Sequence, residues 1–213
     1  MILSNPCAPK GSMNEFFYYK YWKFDNVVSD ETRNLILKSI QDNSFNDAIV
    51  INKDGAGEED KKSRDNEVAF LGGQFARDIF IPYIEGANKF SGWNYDIDWF
   101  EDIQVSKYGV DKHYAWHHDA IGYPKGVGHK NYEGKERKLT AMTLLSDDFS
   151  GGEFELSHQI SGDNDNTEIE VLPVNLSLGT ILVFPSFLWH RVKPVTSGIR
   201  HSMTVWCLGP PFK

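Results

Sequence analysis

From Arg200 onward two residue sets alternate along the chain. Arg200, Ser202, Thr204 and Trp206 fall on one face of an extended segment, and His201, Met203, Val205 and Cys207 fall on the other. A period of two is the mark of a strand with one polar and one apolar face. Comparable short runs, separated by Gly, Pro, Asn and Asp, recur from residue 98 to the end, and strands are expected at 98–107, 138–145, 154–156, 168–172, 180–184 and 199–208. Many short strands with such punctuation call for an all-β barrel or sandwich. Two helices are expected ahead of them. Ser29, Asp30 and Glu31 supply a cap and early acids for the first, with Leu35, Ile36, Leu37 and Ile40 as its apolar positions. The second runs over 73–90 and is interrupted by Pro82. The 213 residues contain no repeat and no low-complexity linker, which fits one domain: helical support over about 1–97 and a β core over about 98–213.

The segment ending Tyr114-Ala115-Trp116-His117-His118-Asp119 holds a His-x-Asp pair, and His190 follows much later in Phe184-Pro185-Ser186-Phe187-Leu188-Trp189-His190. Two neutral imidazoles and one carboxylate can cover one face of an iron(II) octahedron and leave the remaining positions open. On a strand, positions i and i+2 project together, so His117 pairs with Asp119 and His118 points away. His113 and His117 have the spacing of a helical zinc site, but Gly109, Val110 and the missing 3.6-residue period argue against a helix there. The polar face that starts at Arg200 bears on the same question. An inward arginine needs an anion, and a guanidinium with a hydroxyl two residues on, at Ser202, suits the carboxylate of a small dicarboxylate.

The order His117-x-Asp119, His190, Arg200-x-Ser202 resembles that of the 2-oxoglutarate and iron(II)-dependent dioxygenases. Tyr108, Tyr114-x-x-His-x-Asp, the run from Arg137 to Leu145, the turn Ser150-Gly151-Gly152-Glu153 and Phe184-Pro185 resemble the prolyl 4-hydroxylase-like branch. That branch often has glycine where Asp111 stands, and some animal members have a tyrosine where Leu144 stands. The resemblance implies a double-stranded β-helix, a jelly-roll barrel with helices packed outside. It implies iron held by His117, Asp119 and His190, with 2-oxoglutarate anchored on Arg200 and supported by Tyr108 and Ser202. O2 would be the second cosubstrate, and ascorbate a stimulant. The implied reaction hydroxylates prolyl residues in a peptide or protein and releases succinate and CO2. A free amino acid or small metabolite as substrate, or a non-catalytic barrel that binds a metal or ligand, are the alternatives.

The resemblance also marks substrate residues. In prolyl hydroxylases a flexible segment carrying an arginine folds over the peptide, and Ser63-Arg64-Asp65-Asn66-Glu67-Val68-Ala69-Phe70 looks like that segment. Arg64, Trp116 beside the metal motif and Trp206 on the Arg200 face are the candidates. The glycine-rich, charged run 53–66 is expected to be a surface loop that closes as a lid. Asp163-Asn164-Asp165-Asn166 lacks the glycine and glutamate of a calcium loop and reads as a hairpin turn. The net charge of −8, with acids mixed among the few basic clusters, argues against a nucleic-acid partner. Two cysteines, Cys7 and Cys207, and the lack of an apolar signal or membrane span lead to the expectation of a reducing, cytoplasmic setting.

Overall fold

A computed structural model of the chain describes residues 3–4, 19–41, 45–51, 57–72, 74–123, 131–157 and 171–212. The expected start of a strand at 168, the 163–166 turn, Cys7, Gly73 and residues 53–56 of the polar loop lie outside the described residues.

Beside two small two-stranded sheets, Phe149–Gly151 with Val195–Gly198 and Val50–Ile51 with Gly57–Glu58, the described strands fall in two facing sheets, a double-stranded β-helix. The larger has the order Leu3–Ser4, Trp22–Phe24, Ile181–Pro185, Lys135–Leu144, Arg200–Gly209, Ile103–Tyr108, Glu67–Leu71 and Asn46–Asp47. The smaller has the order Val171–Pro173, Phe154–Ser157, Trp189–Val192, His113–His117 and Arg64–Asp65. The alternation from Arg200 onward is realised across this large sheet. Met203, Val205 and Cys207 turn outward with Ile103, Val105, Leu139, Ala141, Ile181 and Val183, and pack on Ile36, Ile40, Phe80, Ile84 and Ala87 of the helical layer. Each such aliphatic side chain, fully buried, contributes about 1.5–3 kcal/mol. The opposite face meets the small sheet. There Met142, Leu182 and Phe184 of one sheet join Phe154, Leu156 and Val192 of the other in a second apolar cluster.

The first helix spans Asp30–Gln41, and the Thr32 N–H donates to the Ser29 hydroxyl at 3.2 Å, as a capping residue requires. The second expected helix is two, Gln74–Asp78 and Ile81–Phe90, with Pro82 in the first turn of the latter, where its missing N–H breaks no helical bond. The part before residue 98 is more than helical support. Trp22–Phe24 and Glu67–Leu71 extend the large sheet on either side, pairing with Ile181–Pro185 and Ile103–Tyr108. The expected strand over 98–107 is also broken: Trp99–Phe100 and Ile103–Tyr108 flank Glu101, which turns inward onto Arg137. Among the described residues no helix is long and apolar enough to cross a membrane.

Candidate active site

Between the sheets lies a cavity of about 940 Å³, whose lining includes Tyr108, His117, Asp119, His190, Arg200 and Ser202. His117 is the last residue of His113–His117 and sits in register opposite His190 on Trp189–Val192. Asp119 lies just beyond the strand end and not on it, held by its own N–H donating to the Ser186 carbonyl at 2.9 Å. His118 is exposed, its ring edge-on to Trp189, and His113 contacts the Lys62 carbonyl instead of this cluster. Asp119 Oδ1 is 3.8 Å from His117 Nε2, and Asp119 Oδ2 is 3.3 Å from His190 Nε2. Donor atoms that share one ion at roughly 2.1 Å in adjacent octahedral positions stand roughly 3 Å apart. Among the described residues this is the group of histidines and carboxylates whose donor atoms all lie within 4.8 Å of one another.

Both imidazoles are turned for ligation by their own backbone. His117 Nδ1 lies 2.8 Å from the Ala115 carbonyl, and His190 Nδ1 lies 3.0 Å from the Leu188 carbonyl. A carbonyl can only accept, so each Nδ1 carries the proton and each Nε2 keeps its lone pair for a metal. Burial first, and His190 second, hold the His117 imidazole well below its ordinary value, so the ring is neutral at pH 7. Burial alone would raise the Asp119 carboxyl, but the neighbouring imidazoles of His190 and His117 pull it well below the carboxylate range. His117 and Asp119 are therefore in the protonation states that a cation requires. Both shifts act in the same direction on stability. As pH falls through 6.5 the unfolded chain protonates at His117, and below 3.8 at Asp119, before the folded protein does. The metal-free protein is expected to lose stability progressively on acidification from pH 7, read as a falling urea midpoint.

Asp119 is braced from behind by a residue that the sequence reading did not single out. Thr140 Oγ1 donates to Asp119 Oδ2 at 2.9 Å and meets Ser186 Oγ at 3.0 Å, all three groups being buried. Thr140→Val keeps the shape and removes the donor. It is expected to weaken metal binding by roughly ten- to a hundredfold, the usual effect of losing such a support, as checked by metal titration.

Arg200 occupies the other end of the cavity, opposite Tyr108 in register and only 1% exposed. Its Nη1 donates to Ser202 Oγ at 3.0 Å, while Nε and Nη2 are buried without a partner. Burial pushes the guanidinium below its ordinary value, with Tyr108 opposing. No carboxylate of the described protein meets it, so the arrangement wants an anion. Gly152 makes room for it: φ is +62°, and a Cβ there would come within 3.0 Å of Arg200 Cδ. Asp111, which stands where glycine is common in the resembled branch, adopts φ +65° and so takes the left-handed conformation that aspartate tolerates better than most residues. Its N–H donates to the Val195 carbonyl at 2.8 Å.

The other singled-out residues lie around this centre. Trp206 is inward and buried under the Arg137 guanidinium, 3.9 Å from its ring centroid, and its indole N–H has no partner. Trp116 borders the cavity but stacks under Arg191, which pairs with Glu155 at 2.6 Å. Arg64 lies over the Tyr114 ring. Neither Arg137, noted in the sequence only within a strand motif, nor Glu101 was given a role at the site there, and 36 positions separate them. Here Arg137 donates through Nε and Nη2 to the two carboxylate oxygens of Glu101 at 2.6 and 2.7 Å, and Tyr123 Oη adds a third donor at 3.2 Å. Only the pairing of the strand ends brings the two within reach, so no local signal could have revealed them.

A jelly-roll barrel with a His-Asp-His cluster and an unpaired buried arginine at its mouth defines a class: barrels equipped for a metal and an anionic cosubstrate. Residues 103–208 match the family described as the 2OG-Fe(II) oxygenase superfamily, and through them the chain belongs to that superfamily, a class of 2-oxoglutarate- and iron-dependent dioxygenases. No curated protein matches the chain. Among solved structures it is similar to a viral collagen prolyl hydroxylase from Paramecium bursaria Chlorella virus-1, at 20% identity over 89% of this chain and 96% of that one, with a TM-score of 0.60. A Pseudomonas putida prolyl-4-hydroxylase follows at 16% identity, 88% and 91% coverage and TM-score 0.58. A Trichoplax adhaerens prolyl hydroxylase in complex with a hypoxia inducible factor peptide fragment gives 19%, 88%, 83% and 0.57. At these identities the likeness carries the fold.

Proposed function

We propose that this protein hydroxylates prolyl residues of a peptide or protein, using iron(II), 2-oxoglutarate and O2. The observation that carries the reading is the pairing, in one cavity, of a His117, Asp119 and His190 cluster with a buried Arg200 guanidinium whose Nε and Nη2 have no partner. Both groups fit what the superfamily uses. Neutral imidazole Nε2 atoms and a carboxylate suit iron(II), and the buried Nε and Nη2 of Arg200 suit the distal carboxylate of 2-oxoglutarate, with Ser202 and Tyr108 beside it. When bound, iron and cosubstrate supply the oxidising chemistry that converts a C–H bond to C–OH, with release of succinate and CO2.

The chain's own residues hold and orient. Thr140 donates to Asp119 Oδ2 and so fixes the plane of the carboxylate that would face the cation. Met142, Phe154 and Phe184 line the cavity with buried apolar surface beside the cluster. Arg137 and Trp206 form a flat wall on which a substrate ring can lie. Because Glu101 already balances Arg137, that wall presents no net charge to a free carboxylate. This favours an internal residue of a chain over a free amino acid. The cavity also extends past Ile49 and Phe70, two exposed apolar residues at its margin, which gives an elongated occupant somewhere to lie.

The test is oxygen-dependent succinate release with iron, 2-oxoglutarate and ascorbate, coupled to mass spectrometry of the substrate. One added oxygen on proline-containing peptides, absent with free proline, is the expected result. Equal turnover of free proline or another small metabolite would replace the peptide reading, and metal binding with no turnover of any kind would leave a binding barrel.

A further inference from the structure

Arg64 lies at the start of a three-layer stack that ends on a candidate metal ligand. The Tyr114 ring is parallel to the His117 imidazole, with centroids 3.4 Å apart and planes 11° from each other. The Arg64 guanidinium carbon sits 4.6 Å from the Tyr114 centroid. An imidazole at 3.4 Å fills one face of the phenol ring, so the guanidinium takes the other. In a regular strand residues 114 and 117 would project to opposite faces. The irregularity in pairing between Tyr114 and His117 brings them to the same one, as a bulge does when it re-aims a side chain.

Arg64 belongs to a two-residue edge strand that is docked on His113–His117 by little else. Arg64 pairs with Tyr114 and Asp65 with His113, and the Ala115 N–H donates to the Ser63 carbonyl at 2.8 Å. One partly exposed ion pair, Lys112 to Asp65 at 2.7 Å, adds to this. So short an edge strand is marginal by itself. The guanidinium is fixed on its outer side: Nε donates to Asn66 Oδ1 at 2.9 Å and Nη1 to the Ile49 carbonyl at 3.4 Å. Its planar face is therefore held against Tyr114 at the border of the cavity, which Arg64 helps to line.

From this geometry we infer that Arg64 is a positioning residue for the metal centre, acting on His117 through Tyr114, and that docking of the Arg64–Asp65 strand and metal occupancy are reciprocally linked. The inference rests on His117 being a metal ligand, as proposed above. A docked guanidinium pins the phenol ring, and the phenol ring pins the plane of the imidazole whose Nε2 must face the ion. A bound ion fixes the same plane from the other side. Each event then favours the other by the same factor, because coupling between two binding equilibria is symmetric.

The test uses cobalt(II), whose visible absorption reports the ligand geometry, with affinity read by titration and edge-strand docking read by hydrogen exchange at the amides of Asp65 and Ala115. In the unaltered protein, cobalt should slow exchange at these amides. Arg64→Met should weaken cobalt binding by roughly three- to thirtyfold, the range expected from losing a cation over an aromatic face, and should abolish the cobalt-dependent slowing. Arg64→Lys should recover part of both effects, and Tyr114→Phe, which keeps the ring, should leave both near their original values. Tyr114→Leu should reproduce Arg64→Met. Unchanged cobalt affinity and unchanged slowing in Arg64→Met would overturn the inference while leaving the metal site intact. If the unaltered protein binds no cobalt at the cluster, the ligand assignment fails and the inference falls with it.

Discussion

His190→Ala is expected to abolish metal binding and to lower hydroxylation by more than about 100-fold, because even the groups that merely support a ligand are worth ten- to a hundredfold. The position is central. His190 is buried, stands opposite His117 across the strand pair and lies 3.3 Å from Asp119. The fold is expected to survive, since the ring packs at the cavity wall against Phe154 and Phe184 and takes no part in the core behind the large sheet. Circular dichroism and cobalt titration of the same sample separate the two effects. A variant that stays folded and still turns over at a tenth of the original rate or better would move the metal site elsewhere.

Arg200→Leu is expected to have two opposite effects. Without cosubstrate it removes a buried cation that has no carboxylate beside it, only the Ser202 hydroxyl and the Tyr108 ring, so the free protein should become more stable, by about 1 kcal/mol or more. With cosubstrate it removes the counter-charge of the distal carboxylate. Breaking one side of a buried charged pair costs about 3 kcal/mol or more, so the 2-oxoglutarate requirement should rise at least about 100-fold. Metal affinity should change little, because Arg200 does not touch the cluster. Urea denaturation of the free protein and the dependence of succinate release on 2-oxoglutarate measure the two arms. A variant that is less stable when free, with the requirement unchanged, would mean that Arg200 is paired in the resting protein and that another cation binds the cosubstrate.

The parts that were legible in the sequence are those set by local period and spacing. The alternation from Arg200 to Cys207 separated two faces, and in the structure Met203, Val205 and Cys207 meet the helical layer while Arg200, Ser202, Thr204 and Trp206 line the cavity. The cap at Ser29 and the break at Pro82 were equally local. His117 was separated from His118 and His113 by strand geometry, although Asp119 reaches the cluster from the loop and not from the strand. What stayed hidden depends on distant partners. Thr140 is one of several threonines until Asp119 and Ser186 are brought against it, and Glu101 looks like a strand residue until Arg137 draws it inward. The strands before residue 98 were missed for the same reason: Trp22–Phe24 and Glu67–Leu71 are short and carry little period of their own, and they become strands by pairing with edges already formed.

The two halves of the candidate site belong to different sheets. His117 and His190 are carried by the smaller sheet, and Arg200 and Ser202 by the larger one. A metal and a cosubstrate bound to each other would therefore act as a rivet through the sandwich, adding a tie between two layers that pack face to face. Melting the loaded protein then requires shearing that rivet, and the midpoint should climb when both components are present by more than the sum of their separate effects. In physiological terms, a cell poor in iron or 2-oxoglutarate would hold not just an idle enzyme but a looser one.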